Sequence, residues 1–292
     1  MAKTGLLFLL AALTLLCLAP LSANPVEEGG DYDDTRYEAT PDEISEEFLD
    51  QIKPGATIYL EPDYDYPLVM SDELEDLSSR YYYFEEVFNG VQLVIHDVRD
   101  LTIVGNPQYL SPLFCAHNYA YVILFRNCDG ITLSYLNCGH LIEGYCEGGV
   151  LGFENCKNVE IDNCDLWGCG TEGITIRDTK KFTCSNTTIR DCSYSIMSVY
   201  DSRNVKFEYC RMYNNREFSL INLFDSNQVR FDNCVIWDNY APDSALIYTS
   251  ECYPVFSECA IFNNSVNSLL NSPDDATFEH CTLIKNEYLY YD

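Results

Sequence analysis

The sequence predicts an all-β solenoid, a stack of short strands wound into coils of 22 to 30 residues, and three observations predict it. First, the fragments VKFEYCRMYNN, VRFDNCVIWDN, PVFSECAIFNN and ATFEHCTLIKN, beginning at residues 205, 229, 254 and 276, repeat one pattern with a cysteine in a fixed slot. Along the chain that slot reads Leu136, Cys164, Thr187, Cys210, Cys234, Cys259 and Cys281, at spacings of 28, 23, 23, 24, 25 and 22. Repeats of this length mark stacked architectures, because one unit cannot close a core alone. Second, the column two residues later (Cys138, Leu166, Ile189, Met212, Ile236, Ile261, Leu283) and the column three earlier (Ile103, Leu133, Ile161, Cys184, Phe207, Phe231, Phe256, Phe278) are apolar, with mixed polar residues between them. That is the period-two pattern of strands buried on one face. Third, a preceding strand supplies two more apolar columns. One is Leu93, Ile123, Leu151, Ile174, Met197, Ile221 and Leu246, and the other is Ile95, Phe125, Phe153, Ile176, Val199, Leu223, Tyr248 and Leu270.

The elements follow in order. Residues 1–23 have Lys3, an apolar run from Leu6 to Leu18 and small residues at Ser22 and Ala23, the build of a secretory signal peptide rather than a membrane span. A lipoprotein reading through Cys17 is disfavoured by Leu16 before it, where a small residue is needed. The mature chain is expected to begin near Asn24 and to be exported: secreted, periplasmic or in the cell envelope. Residues 24–40 form an acidic linker with little to bury. In 41–53, Ile44, Phe48, Leu49 and Ile52 have helical spacing after Asp42 and suit a short helix capping the barrel; a loose lead-in is the alternative. The β domain then occupies 54–292. Asn215, Asn239, Asn264 and Asn286 form one column after the repeat strand, where stacked amides can satisfy turn backbone.

The N-x-V-x-I/F-x-N-C pattern with its trailing asparagines resembles the right-handed single-stranded parallel β-helix proteins, the pectate-lyase-like superfold. The resemblance covers roughly 57–292, with PGATIYLEPDYDYPL at 54–68 similar to an opening turn. The segment GHLIEGYC...VEIDNCDLWGCGTEG resembles bacterial β-helix repeat proteins of unknown activity. The superfold implies a scaffold and no single function, since it hosts lyases, hydrolases, epimerases, adhesins and inert spacers. Of the polygalacturonase-like signatures only Gly139-His140 is present, followed by Leu141. The alginate-epimerase D-P-H-E pattern, a calcium-binding aspartate cluster of the pectate-lyase kind and calcium nonapeptides are all missing.

Composition narrows partners. Acidic residues outnumber basic ones 46 to 17 for a formal charge of −29, which repels nucleic acid and otherwise serves solubility. No apolar stretch after the leader is long enough to span a membrane. Fourteen of the 15 cysteines lie beyond the leader. Export suggests disulfides, but side chains stacked in parallel from coil to coil do not converge as a disulfide requires, so free buried thiols are expected. The state of Cys115, Cys146 and Cys252, outside the main columns, stays open. No C-x2-C pair supports a metal site, and no cofactor is implied.

Function must come from outward positions. One column reads His96, Arg126, Glu154, Arg177, Tyr200, Phe224 and Thr249, and its neighbour reads Val94, Leu124, Gly152, Thr175, Ser198 and Asn222, where Gly152 leaves a gap beside Glu154. Loops at 138–149 and 168–173 add His140, Glu143, Tyr145, Glu147 and Glu172. Such a groove suits an extended glycan, with Arg126, Arg177, Tyr200, Phe224, Gly152, Tyr145 and Glu172 contacting it. In a lyase or hydrolase, Glu154 between two arginines suits an electrostatic or base role, with His96, His140, Glu143 or Glu147 as proton donor. The plain alternative is an Arg126-Glu154-Arg177 ion-pair ladder and a Tyr200-Phe224 stack serving structure alone. Three functions stay open: glycan-binding module, carbohydrate-active enzyme, and spacer or adhesin without a pocket. The C-terminal end, covered by Tyr288, Leu289 and Tyr290 or by another protein, is a candidate surface for self-association.

Overall fold

The computed structural model describes residues 48–60, 68–70, 77–88, 90–141, 148–168 and 170–288. The signal peptide, the acidic linker, Ile44 and most of the expected capping helix lie outside the described residues. The helical residues 48–50 are described, and Phe48, Leu49 and Ile52 are buried in the same core as Ile58. From there the chain forms a right-handed β-solenoid of about 7 turns. Three parallel sheets run its length. The first holds nine strands from Thr57–Tyr59 to Thr277–Glu279, and the third holds nine from Leu68–Met70 to Thr282–Ile284. The second holds nine parallel strands from Gly90–His96 to Glu287–Tyr288, and Tyr82–Val87, antiparallel along its N-terminal edge, makes ten.

The predicted columns are rows of the coil. Ile103, Leu133, Ile161, Cys184, Phe207, Phe231, Phe256 and Phe278 pair in register down the first sheet. Cys138, Leu166, Ile189, Met212, Ile236, Ile261 and Leu283 do so down the third. Strands about 4.8 Å apart bring identical rings into contact. Phe207, Phe231 and Phe256 stack at 5.0 and 4.5 Å within 8° of parallel, fully buried.

Each coil turns at three corners, and most of the described corners use one device. A residue with positive φ, mostly Asn or Asp, is followed by a buried small side chain. Examples are Asn155-Cys156, Asp178-Thr179 and Asp201-Ser202 after the second sheet, Asn233-Cys234 and Glu258-Cys259 after the first, and Asp238-Asn239 and Asn263-Asn264 after the third. Asn and Asp tolerate the left-handed conformation best among residues with a side chain. The small side chain then ties coils together. The Asn239 side-chain amide donates to the Met212 carbonyl at 3.1 Å and to Asn264 Oδ1 at 2.9 Å, and its backbone amide also bonds Asn264 Oδ1. Cys234 and Cys259 donate to the Phe207 and Phe231 carbonyls of the preceding coil at 3.5 and 3.3 Å. Thr179 donates to the Phe153 carbonyl and accepts from the Cys156 amide. The cysteine is therefore a weak buried donor in a slot that Thr and Ser also fill. All twelve described cysteines are free, Cys115 and Cys252 among them, while Cys146 lies outside the described residues. Burial pushes the Cys115 and Cys164 thiols up to about 12 and Cys252 to about 11.

One stretch departs from the expected register. Ile221 pairs with Ile247 and Leu223 with Thr249, so Thr249 points inward and is buried, whereas Tyr248 is on the surface. Between Ala241 and Ala245 the 11-residue strand Tyr240–Ser250 takes four steps against two in its partner, Val266 to Ser268, so the coil carries two extra residues there. Leu246, expected in the Ile221 row, is buried beside it instead.

The stacked rows set the energetics. Phe231→Ala opens a cavity between two rings and is expected to cost about 3–5 kcal/mol in urea unfolding. Asn239→Ala strands buried backbone groups at about 1–3 kcal/mol each. Native protein is expected to leave the described thiols silent to Ellman's reagent at neutral pH, apart from partly exposed Cys281, and urea to release them.

Candidate functional site

The outward row on the second sheet exists from His96 through Arg126, Glu154, Arg177 and Tyr200 to Phe224, which pair in register. The next member is Ser250 rather than Thr249, for the reason given above.

At its N-terminal end the row meets the Tyr82–Val87 strand, which folds back through a turn ending at Gly90. This strand brings Tyr83 and Glu85 over Arg126. The guanidinium donates Nε to Glu154 Oε2 at 2.8 Å, Nη1 to Tyr83 Oη at 2.5 Å and to Glu85 Oε1 at 3.1 Å, and Nη2 to Glu85 Oε2 at 3.5 Å. Gln92 donates a further 2.7 Å bond to Glu85. Burial pushes the Glu85 carboxyl up, but the bonds from Arg126 and Gln92 outweigh it and hold the group below its ordinary value. Partial burial opposes the Arg126 charge, and the same two carboxylates more than restore it. His96 is bonded through Nδ1 to Asp97 at 2.9 Å and meets the Tyr83 ring edge-on at 5.0 Å. Sequence reasoning missed Tyr83, Glu85 and Gln92. The signal was the Asn-Gly dipeptide at 89–90 between two apolar runs, a hairpin mark.

The expected gap beside Glu154 is filled. Gly152 is buried, as are Val94, Leu124, Thr175 and Ser198 of its column. The Tyr121 ring lies across this part of the sheet, its hydroxyl donating to Thr175 Oγ1 at 2.9 Å and its backbone amide to Gln92 Oε1 at 3.2 Å. A Cβ on Gly152 would come within 2.6 Å of Leu124 and 3.1 Å of the Tyr121 ring, and one on Gly149 within 2.2 Å of that ring. These glycines seat a tyrosine. Glu172 joins the same face, accepting from Thr175 Oγ1 at 3.4 Å.

His140 does not reach the row. It is 3% exposed, its Nε2 donates to the Ala120 carbonyl at 2.8 Å, and burial holds it below its ordinary value, so it is neutral and anchors the segment carrying Tyr121. Glu143, Tyr145 and Glu147 lie outside the described residues.

Toward the C-terminus the row becomes a stack. The Arg177 guanidinium sits 4.4 Å over Tyr200, Tyr200 and Phe224 are 5.1 Å apart and 4° from parallel, and Tyr248 leans on Phe224 at 5.6 Å. Arg177 thus packs on a ring, and of the two arginines Arg126 alone bridges Glu154 among the described residues. Both faces of Tyr200 are occupied, so the rings present edges to solvent. A second outward ladder, also missed, runs down the third sheet through Trp167, Arg190, Tyr213, Trp237 and Phe262 and contains both tryptophans of the chain. Arg190 there forks onto Asp165 and bonds Asp191. It was legible as the residue following each member of the Leu166 column. Among the described residues no group of three or more His, Cys, Asp or Glu could hold a metal ion.

Two outcomes check this geometry. Glu85 is held low when folded, so the stability it adds is present above its unfolded value of about 4.3 and is lost as pH falls through its folded value. The advantage of the wild type over Glu85→Gln in urea unfolding is expected to shrink as pH is lowered below that unfolded value. Gly149→Ala is expected to displace the Tyr121 ring, raising the iodide quenching of the protein's tyrosine fluorescence above that of the wild type.

Residues 117–222 and 148–291 match the family described as right handed beta helix region. No curated protein is detectably similar to the chain. Among solved structures, the alginate lyase from Paenibacillus sp. str. FPU-7 is similar at TM-score 0.40 and 12% identity, over 85% of this chain and 95% of that one. PfbA, a surface adhesin of Streptococcus pneumoniae, is similar at 0.33 and 10%, over 80% and 71%. The enzymatically active domain of Bacteriophage CBA120 tailspike protein 2 is similar at 0.27 and 11%, over 64% and 40%. No helix among the described residues is long and apolar enough to cross a membrane. The two family matches overlap and together take in more than half of the 292 residues, and the chain belongs to the right-handed β-helix family.

Proposed function

We propose that the protein is an exported, non-catalytic module that holds an extended glycan along the outward row of its second sheet. Residues 1–23 direct export, 24–40 tether the domain, and 41–53 close its N-terminal end. The observation that carries this reading is the state of Arg126, whose donors are committed to Glu154, Glu85 and Tyr83. Catalysis by Glu154 needs a proton donor facing it, yet of the described candidates His140 is buried on a carbonyl and His96 stands two coils away along the row, with Arg126 between. What faces outward is a fixed row of carboxylates, a guanidinium, a phenol and ring edges, repeating about every 4.8 Å. That spacing is close to the length of one sugar in an extended chain. Hydroxyls can bond the polar members, and the pre-formed row loses little entropy on binding.

The exposed face of the last described coil favours a second role, pairing between two copies. Leu283 is 40% exposed, whereas Ile261 one coil earlier is fully buried in the same row. Apolar row ends and unpaired strand edges invite association.

A glycan array followed by titration calorimetry tests the main reading. Arg177→Ala and Tyr200→Ala are each expected to weaken the best ligand about tenfold, roughly 1.4 kcal/mol. Unchanged affinity in both would remove the row as the site. Release of reducing ends or unsaturated sugars that stops in Glu154→Gln would make the protein an enzyme. Light scattering on the mature chain is expected to report a dimer that Leu283→Glu converts to monomer.

A further inference from the structure

Arginine is the side chain best matched to a carboxylate, because its planar fork offers two parallel donors. An outward arginine on a glycan-binding face would ordinarily select sugars that carry carboxylates. Here the fork is already taken. Glu154 occupies Nε of Arg126 and Glu85 occupies both terminal nitrogens, so one positive charge is answered by two negative ones. Glu85 is not free to swing away, because Gln92 holds its Oε2 at 2.7 Å and its strand is paired along its length with Gly90–His96. The other arginine of the row, Arg177, lies over Tyr200.

The surroundings add to the imbalance. The left-handed corner bordering the row carries Asp97, Asp178, Asp201, Asp225 and Glu251, all exposed. Arg99, Lys157, Lys180 and Arg203 stand along the N-terminal and middle parts of that border, at the start of the adjoining sheet, and leave its C-terminal part unanswered. A polyuronate laid along the row would meet two carboxylates at Arg126. A neutral sugar chain would find acceptors and donors already fixed for its hydroxyls.

We infer that Glu85 and Glu154 determine specificity by withholding Arg126 from anionic ligands, so that the face takes neutral glycans and rejects polyuronates. This inference rests on the glycan-binding reading above.

Affinity electrophoresis at low salt through gels containing polygalacturonate or alginate tests it. The wild type is expected to run unretarded. Glu85→Gln/Glu154→Gln keeps the side-chain shapes, removes the competing charges, and is expected to bind polyuronate at least tenfold more tightly, the gain fading with added salt. Adding Arg126→Gln is expected to abolish that gain. Glu258→Gln/Glu279→Gln, which makes the same change in net charge on the first-sheet side, is expected to gain nothing. Should the double variant unfold, Glu154→Gln alone gives the same comparison with a smaller gain. Retardation of the wild type equal to that of the double variant would overturn the inference, as would a folded double variant that gains nothing or an equal gain in the distant pair. These outcomes are separate from failure of the binding reading, which shows as no effect of Arg177→Ala or Tyr200→Ala on any glycan.

Discussion

Everything in this molecule depends on how a chain turns a corner without leaving backbone groups unpaired. Sheet pairing satisfies the strands, but a parallel coil must bend three times per turn, and at each bend the ladder is interrupted. The solution is a two-residue unit: a left-handed residue that makes the bend, then a buried small side chain that bonds the carbonyls of the coil before it. Asn239, Cys234 and Thr179 do this work with an amide, a thiol and a hydroxyl. The choice among them follows room and strength. The amide corner bonds both backbone and the next amide, while the thiol corner offers a weaker donor in a tighter place.

Because the corners fix the coil-to-coil register, like residues lie over like residues, and the interior becomes columns rather than a shuffled core. Phe207, Phe231, Phe256 and Phe278 form one continuous stack for this reason. The exterior follows the same rule, so outward side chains also form rows. The Arg177, Tyr200, Phe224 and Tyr248 stack and the Tyr213, Trp237 and Phe262 stack are surface versions of the core column. Rings held this way spend their faces on each other, which limits what they offer a ligand to edges and polar tips.

The polar end of the row is where the repeat is broken. An added antiparallel strand and a tyrosine laid across the sheet replace what a plain coil would leave open, and they convert Arg126 from an exposed cation into the centre of a fixed, net negative cluster. A regular scaffold thus acquires chemical character at the place where its regularity fails.

The sequence alone determined the solenoid, its inward columns, the asparagine and thiol corners and the order of the outward row, because each coil repeats the same alternation and local bends decide the rest. It could not determine that Gly152 seats Tyr121, that His140 is buried, or that Glu85 shares Arg126, because these contacts join residues many positions apart through segments outside the repeat. Nor could counting find the slip at Ala241 to Ala245, since a two-residue insertion leaves the alternation of the strand unchanged. Periodicity places a side chain in or out of the barrel. Only the folded chain decides what then lies over it.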